Sequence, residues 1–303
     1  MSPPAVAVAG AGSIGAGFAL TFARGGFRVR LWDPDTAAVD RALEVIADRL
    51  GSLHRHGLLD ADPGDVAGRI DSYADLGGAV AGCSLVQECT PERAEVKQSV
   101  FAELAGLTGP GTVLASSSSA MVPSDYGGGD PRVLGAHPGN PPYLLPVIEL
   151  VPSPNTDRAV LDRARDLYAK AGLRPVLVRR EVEGFVFNRL QGALLREAYC
   201  LLRDGVADVA DIDEVVRSGL GLRWSVIGPF ETADLNTRGG IAAHARLLGP
   251  AYARMGADRG QHDPWTPELV QLAERQRRAL LPLEQWEDRV RWRDEQLMRR
   301  HHK

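Results

Sequence analysis

Residues 6–19, "VAVAGAGSIGAGFA", carry Gly10-x-Gly12-x-x-Gly15 between a short apolar run and a stretch of small residues. In a chain with 33 glycines that spacing says little alone, so its flanks decide what it is. Residues 5–9 read as a buried strand. Ile14, Phe18, Leu20 and Phe22, set among small residues, predict a helix packed closely on a sheet, and Gly25-Gly26 ends it. "FRVRLWD" (27–33) then alternates as a second strand closing on Asp33. Strand, glycine turn, helix, strand and an acid about 20 residues past the glycines form the context of a dinucleotide site. Gly10 permits the tight turn, Gly12 lets the backbone approach a pyrophosphate, and Gly15 lets helix and strand pack closely. The N–H groups at the helix start, around Ser13 and Ile14, face the phosphates. Asp33 accepts hydrogen bonds from the ribose hydroxyls and repels a 2'-phosphate, so the expected cofactor is NAD rather than NADP.

Further on, "SLVQECTPERAEVKQSVFAEL" (84–104) reads as a strand and then a helix, with Thr90 as its cap and Pro91 in its first turn. "GTVLASSSSAMVPS" (111–124) is a strand entering a serine-rich loop. "VLGAHP" (133–138), "PVIELVP" (146–152) and "LRPVLVRREVEG" (173–184) supply further strands. Strands alternating with helices predict an α/β fold, a Rossmann-type doubly wound sheet. After Gly184 only helical patterns follow, so an all-α second domain is expected, with bounds 1–183 and 184–303. In it, Leu190, Leu194, Leu201 and Leu202 mark one side of a helix, and Asp211 reads as the cap of the next. A length of 303 residues suits about two such domains.

A net charge of -4 offers no electrostatic case for nucleic acid or an anionic membrane. No apolar run reaches the roughly 20 residues of a membrane helix, and "MSPPAVAVAG" lacks the basic start of a secretory signal. Cys83, Cys89 and Cys200 have no metal-like spacing and read as reduced, buried thiols of a cytoplasmic protein.

His137 ends one apolar strand and Glu149 lies within the next, joined by the proline-rich "PGNPPYLLP". Burying a carboxylate without a partner is costly, and two adjacent strands can bring it to the imidazole. A carboxylate there fixes the imidazole tautomer and supports it as a general base.

"GAGSIG", "ASSSSAMVPS", "AHPGNPPYLLPVIELVP", "GFVFNRLQ" and "GLGLRWSVIGPFETADLN" occur in the order found in the 3-hydroxyacyl-CoA dehydrogenase superfamily. The chain resembles that superfamily over nearly its whole length, and within it the lambda-crystallin or L-gulonate 3-dehydrogenase branch. The resemblance implies that His137 and Glu149 are the catalytic pair, with Asn188 of "NRL" at the substrate oxygen. It places the substrate-contacting serine at Ser119, with Ser118 as the alternative, since the loop to His137 is slightly short. It also implies cofactor contacts from Glu92, Lys97 and Asn140; read from their spacing alone, Glu92 and Lys97 are a surface helix pair.

The activity implied is NAD-dependent oxidation of the 3-hydroxyl of a small, L-gulonate-like hydroxy acid. Arg223, in "GLGLRW", is then the candidate clamp for the substrate carboxylate, since a guanidinium offers two parallel hydrogen bonds; read as an ordinary residue, it forms an ion pair. Trp224 reads more simply as core than as pocket wall. The alternative substrate is a 3-hydroxyacyl group on coenzyme A or a carrier protein. A crystallin-like structural or NAD-sensing protein is the non-enzymatic alternative, and the retained His137, Glu149 and Asn188 argue against it. The resemblance also implies a homodimer, and Trp286 and Trp292 suit either a dimer surface or a strap back onto the first domain.

Overall fold

The computed structural model describes residues 4–237 and 240–259, and beyond them positions 268, 271, 272, 275, 279, 282–285, 288, 291, 292, 295, 298 and 299. The chain divides into two compact units, Met1–Arg189 with Arg291–Lys303, and Leu190–Val290.

The first unit is built on eight strands: β1 (Ala5–Ala9), β2 (Arg28–Trp32), β3 (Ile70–Ser72), β4 (Leu85–Glu88), β5 (Val113–Ser116), β6 (Val133–Pro138), β7 (Val147–Pro152) and β8 (Arg174–Leu177). Their spatial order is β3-β2-β1-β4-β5-β6-β7-β8. Strands β3 to β6 run parallel in the doubly wound order, whereas β7 lies antiparallel to β6 and parallel to β8. The helices are α1 (Ser13–Arg24), α2 (Thr36–Arg55), α3 (Pro63–Ala67), α4 (Leu76–Val80), α5 (Ala94–Leu107), α6 (Pro123–Tyr126) and α7 (Arg158–Lys170). Strands β4, β5 and β6 are buried at every residue, which is why they show no apolar–polar alternation. On the α1 side, Phe18, Phe22, Phe27 and Tyr168 form an aromatic cluster with ring centroids 5.7–6.4 Å apart.

The end of the chain returns to this unit. Met298 is 2% exposed among the first unit's core residues, and Ser52 Oγ lies 3.9 Å from its sulfur. The segment Arg291–Lys303 thus groups with the first unit. Trp292 is half exposed; Trp286 lies outside the described residues.

Helix α8 (Phe187–Arg203) follows, then α9 (Val209–Glu214), a π-helical turn (Val215–Leu220), α10 (Gly221–Trp224), α11 (Pro229–Leu235) and α12 (Gly240–Arg259). Two expectations fail here. Asp208, not Asp211, stands at the cap position of α9, so Asp211 lies in its first turn. The leucine side of α8 is covered only near its C-terminal end: Cys200 and Leu202 are buried, whereas Leu190 is 61% and Leu194 37% exposed. Trp224 is likewise 38% exposed rather than core.

Candidate active site

The glycine turn is forced by sterics. Gly10 has φ +112, and a Cβ there would stand 2.6 Å from the Cys89 carbonyl oxygen. A Cβ on Gly15 would stand 1.8 Å from the Gly10 carbonyl oxygen, so only glycine lets α1 leave β1 this closely. Gly12 differs: a Cβ there would meet nothing within 4 Å. It faces open space at the start of α1, whose N-terminus no side chain caps. The free N–H groups of that first turn, through Ser13 and Ile14, fit a pyrophosphate, and a side chain at Gly12 would intrude on it. Asp33, just past β2, closes the turn: Oδ2 accepts from Ala11 N at 2.7 Å and Oδ1 from Asp35 N at 2.9 Å. Its remaining lone pairs lie at the half-buried edge where a ribose diol would sit.

The strands β6 and β7 place His137 directly opposite Glu149. Nδ1 of His137 donates to Glu149 Oε2 at 2.8 Å, with both residues buried. Since a carboxylate only accepts, Nδ1 carries the proton and Nε2 presents a lone pair. Among the described residues Nε2 has no hydrogen-bond partner. The second carboxylate oxygen of Glu149 accepts from Val186 N at 2.8 Å and Phe187 N at 2.9 Å. Glu149 therefore both orients the imidazole and anchors the first turn of α8, where a negative charge is favoured.

The chain reaches that position through a left-handed turn, with Gly184 at φ 72 and Phe185 at φ 49. A non-glycine residue there costs about 1 kcal/mol. In return the fully buried Phe185 ring and that of Phe187 flank His137, with centroids 5.7 and 5.9 Å away. Asn188 Nδ2 donates to the Ser119 carbonyl oxygen at 2.7 Å, tying the serine loop to the same turn. The two candidate serines separate clearly. Ser118 is buried, and its hydroxyl donates to Glu92 Oε1 at 2.6 Å and accepts from Met121 N at 3.1 Å. Ser119 is half-buried, and among the described residues its hydroxyl has no partner.

Glu92 and Lys97 are not a surface pair. The spacing placed the helix start at Thr90 and Pro91, but α5 begins at Ala94 with Arg93 at its cap. Thr90 is held instead by Glu88, its N–H donating to Oε1 at 2.6 Å. Lys97 is fully buried, with Nζ 3.0 and 2.9 Å from the two carboxylate oxygens of Glu88 and 3.6 Å from Glu92 Oε2. Glu88 and its third donor Ser116 went unread in the sequence. The available signal was an acid ending a buried strand near the one lysine in the first 169 residues. Burial works to raise the Glu92 pKa, but the bonds from Ser118 and Ala120, with the Lys97 charge, outweigh it and hold the carboxyl below its ordinary range. Asn140 is exposed at the head of the loop joining β6 to β7.

Arg223 belongs to the second unit, exposed on α10, and no carboxylate pairs with it among the described residues. The three cysteines are free thiols, and burial raises the pKa of Cys83 and Cys89. Among the described residues no group of His, Cys, Asp and Glu could hold a metal ion, and no helix is long and apolar enough to cross a membrane.

A glycine turn built for a dinucleotide and a buried histidine–carboxylate pair on one sheet define an NAD-dependent oxidoreductase. The comparisons with known proteins narrow this. The family model for the 3-hydroxyacyl-CoA dehydrogenase NAD-binding domain matches residues 5–182, and that for its C-terminal domain matches residues 184–280. The chain belongs to the 3-hydroxyacyl-CoA dehydrogenase family. It is 41% identical over 247 residues to lambda-crystallin of Oryctolagus cuniculus, covering 79% of this chain and 77% of that one. It is 39% identical over 272 residues to the L-carnitine dehydrogenase of Streptomyces griseus, covering 87% and 78%. Among solved structures, that of an NAD-dependent FHMPC 5-dehydrogenase superposes with a TM-score of 0.83 at 29% identity, covering 98% of this chain and 96% of that one.

Proposed function

We propose that this protein oxidises the 3-hydroxyl of a small, L-gulonate-like hydroxy acid, with His137 as general base. The observation that carries this reading is the His137–Glu149 pair, whose hydrogen bond leaves Nε2 as the lone-pair nitrogen. His137 Nε2 takes the hydroxyl proton as the carbinol carbon becomes a carbonyl. Bound NAD supplies the acceptor for the hydride that leaves that carbon. Glu149 Oε2 stabilises the imidazolium so formed. The unpartnered Ser119 hydroxyl and the Asn188 amide hold the substrate oxygen in line, a positioning contribution. Glu92, Lys97 and Asn140 are the further cofactor-side residues that the family implies.

A small acid is favoured because the chain resembles lambda-crystallin and an L-carnitine dehydrogenase at about equal identity. Arg223, without a carboxylate partner among the described residues, suits the substrate carboxylate. A 3-hydroxyacyl thioester is the second reading, favoured by the description of the matching family. A homodimer accords with the apolar side chains that the second unit leaves uncovered, such as Val226 and Phe230, 82% and 78% exposed.

The test follows reduced-nicotinamide absorbance with L-gulonate, L-carnitine and 3-hydroxybutyrate, in parallel with 3-hydroxybutyryl-CoA. The expected result is turnover of a free acid that His137→Ala abolishes with NAD affinity kept. Arg223→Ala should raise its KM about 10- to 100-fold, the worth of a charge-assisted pair. Turnover of the thioester alone would overturn the small-acid reading, and a His137→Ala variant keeping most of its rate would overturn the base.

A further inference from the structure

The Glu92 side chain is 38% exposed, and its carboxylate contacts run into the serine loop. One oxygen, Oε1, accepts from Ser118 Oγ at 2.6 Å, Ser119 N at 3.0 Å and Ala120 N at 3.2 Å, with Met121 N at 3.5 Å. The successive amides of Ser119 and Ala120, turned onto one oxygen, form a nest, while Met121 N is held more closely by Ser118 Oγ at 3.1 Å. The other oxygen, Oε2, lies 3.6 Å from Lys97 Nζ. Lys97 cannot move to follow it, because it is fully buried and clamped by both oxygens of Glu88 at the tip of β4.

The loop so held bears on both groups expected at the substrate oxygen. Ser119 is one, and the Ser119 carbonyl oxygen is the acceptor that fixes the Asn188 amide. Asn188 in turn sits one residue beyond the amides that hold Glu149. A continuous set of charged and hydrogen-bonded contacts thus runs from the buried Glu88–Lys97 pair through Glu92 to the residues around His137.

We propose that Glu92 is also a positioning residue for the substrate, acting through the Ser119 turn and the Asn188 amide. This goes beyond the cofactor contact implied by the family resemblance, and it rests on the hydroxy-acid reading only where turnover is measured. The assignment accords with an ionised carboxylate, since a protonated Glu92 would lose the nest and its attraction to Lys97. It also explains the division of labour between the two serines. Ser118, with its hydroxyl engaged by Glu92, builds the turn, and Ser119 is left free to meet a ligand.

Two variants separate the readings. Glu92→Gln keeps a carbonyl oxygen for the amide nest, whereas Glu92→Ala removes it. Hydrogen–deuterium exchange of the Ser119, Ala120 and Met121 amides reads the anchoring with no substrate present. NAD binding by titration of intrinsic fluorescence reads the cofactor side. The expected result is amide exchange at least about tenfold faster in Glu92→Ala and near wild type in Glu92→Gln. With an active substrate, kcat should fall about 30- to 100-fold in Glu92→Ala, the scale of a displaced positioning group. Glu92→Gln should restore most of it. A loss of NAD affinity of about tenfold with unchanged loop exchange would overturn the proposal in favour of a cofactor contact. Equal kcat in wild type and Glu92→Ala would also overturn it. If no hydroxy acid is turned over by the wild type, the hydroxy-acid reading fails while the exchange measurement still decides the anchoring.

Discussion

Replacing Glu149 by glutamine tests the central pair with the least disturbance to the fold. The glutamine carbonyl oxygen can still accept from Val186 N and Phe187 N, which are 2.8 and 2.9 Å from Glu149 Oε1. The start of α8 should therefore stay anchored, at a cost of about 1 kcal/mol for weaker, uncharged acceptance. What changes is the partner of His137. The group facing Nδ1 becomes an NH2, which can only donate, so Nδ1 must become the acceptor and the proton moves to Nε2. The imidazole then has no lone pair for the substrate, and the buried imidazolium loses its counter-charge. When an amide replaces the carboxylate behind a catalytic histidine, kcat falls by about 10^4. At 1.36 kcal/mol per tenfold, that is about 5.5 kcal/mol of transition-state stabilisation. Glu149→Ala should lose similar activity and also about 2–4 kcal/mol of stability, because it strands both amides and the imidazole N–H. The assay is reduced-nicotinamide absorbance under saturating NAD, with thermal unfolding and NAD titration alongside. A Glu149→Gln variant that folds, binds NAD and keeps more than about a tenth of wild-type kcat would refute the reasoning.

Two further outcomes follow from the packing of the first unit. Gly15→Ala should destabilise the first unit by more than about 3 kcal/mol and abolish NAD binding, since its Cβ would stand 1.8 Å from the Gly10 carbonyl oxygen. Gly12→Ala should leave the unfolding temperature unchanged and raise the Kd for NAD; equal effects of the two on stability would refute the separate roles. The Asp130–Arg132 pair is nearly buried at 2.6 Å, with Arg132 also donating to the Thr108 and Gly109 carbonyl oxygens beyond the end of α5. Burial raises the Asp130 pKa, but the Arg132 hydrogen bonds and charge outweigh it, so it lies below its ordinary 3.8. A lowered carboxyl pKa gives stability that is complete above the unfolded-state value and is lost as pH falls through the folded one. Asp130→Asn should thus cost about 2 kcal/mol at pH 7 by chemical denaturation, and the difference from wild type should shrink below about pH 4. A difference that stays constant down to about pH 2 would refute the pairing.

The parts of the site legible in the sequence are those made by side chains paired across neighbouring elements. His137 and Glu149 were each a polar residue in an otherwise apolar strand, joined by a short proline-rich loop. An antiparallel hairpin of that length puts them in register, and the pair follows. The Gly10 turn was legible for a similar reason, since its constraint is steric and local. The Glu92 nest was not. Its donors are backbone amides of residues 119 and 120, which every sequence supplies, and whether they converge depends on a turn that no side-chain pattern encodes. Reading the start of α5 three residues too early hid it further. A helix from Pro91 carries Glu92 and Lys97 on a solvent face, whereas a helix from Ala94 leaves residues 90–93 free to fold back around Glu88.

The same logic accounts for the second unit. Apolar periodicity assigns a face only where the chain keeps about 3.6 residues per turn. Between Val215 and Leu220 it widens to a π-helical turn, and α10 then has only four residues, Gly221–Trp224. Phase read from the preceding helix is lost across that turn, and Trp224, assigned to core, is exposed beside Arg223. The change of helical pitch therefore leaves two chemically distinctive side chains, an exposed guanidinium and a partly exposed indole, adjacent on one short helix. An exposed guanidinium is what a surface that receives a carboxylate-bearing ligand requires. If Arg223 serves that purpose, relieving the π-helical turn by deleting one residue from Val215–Leu220 should raise the KM for the acid about as much as Arg223→Ala does, while kcat and NAD affinity hold. An unchanged KM would return both the turn and the arginine to a structural role.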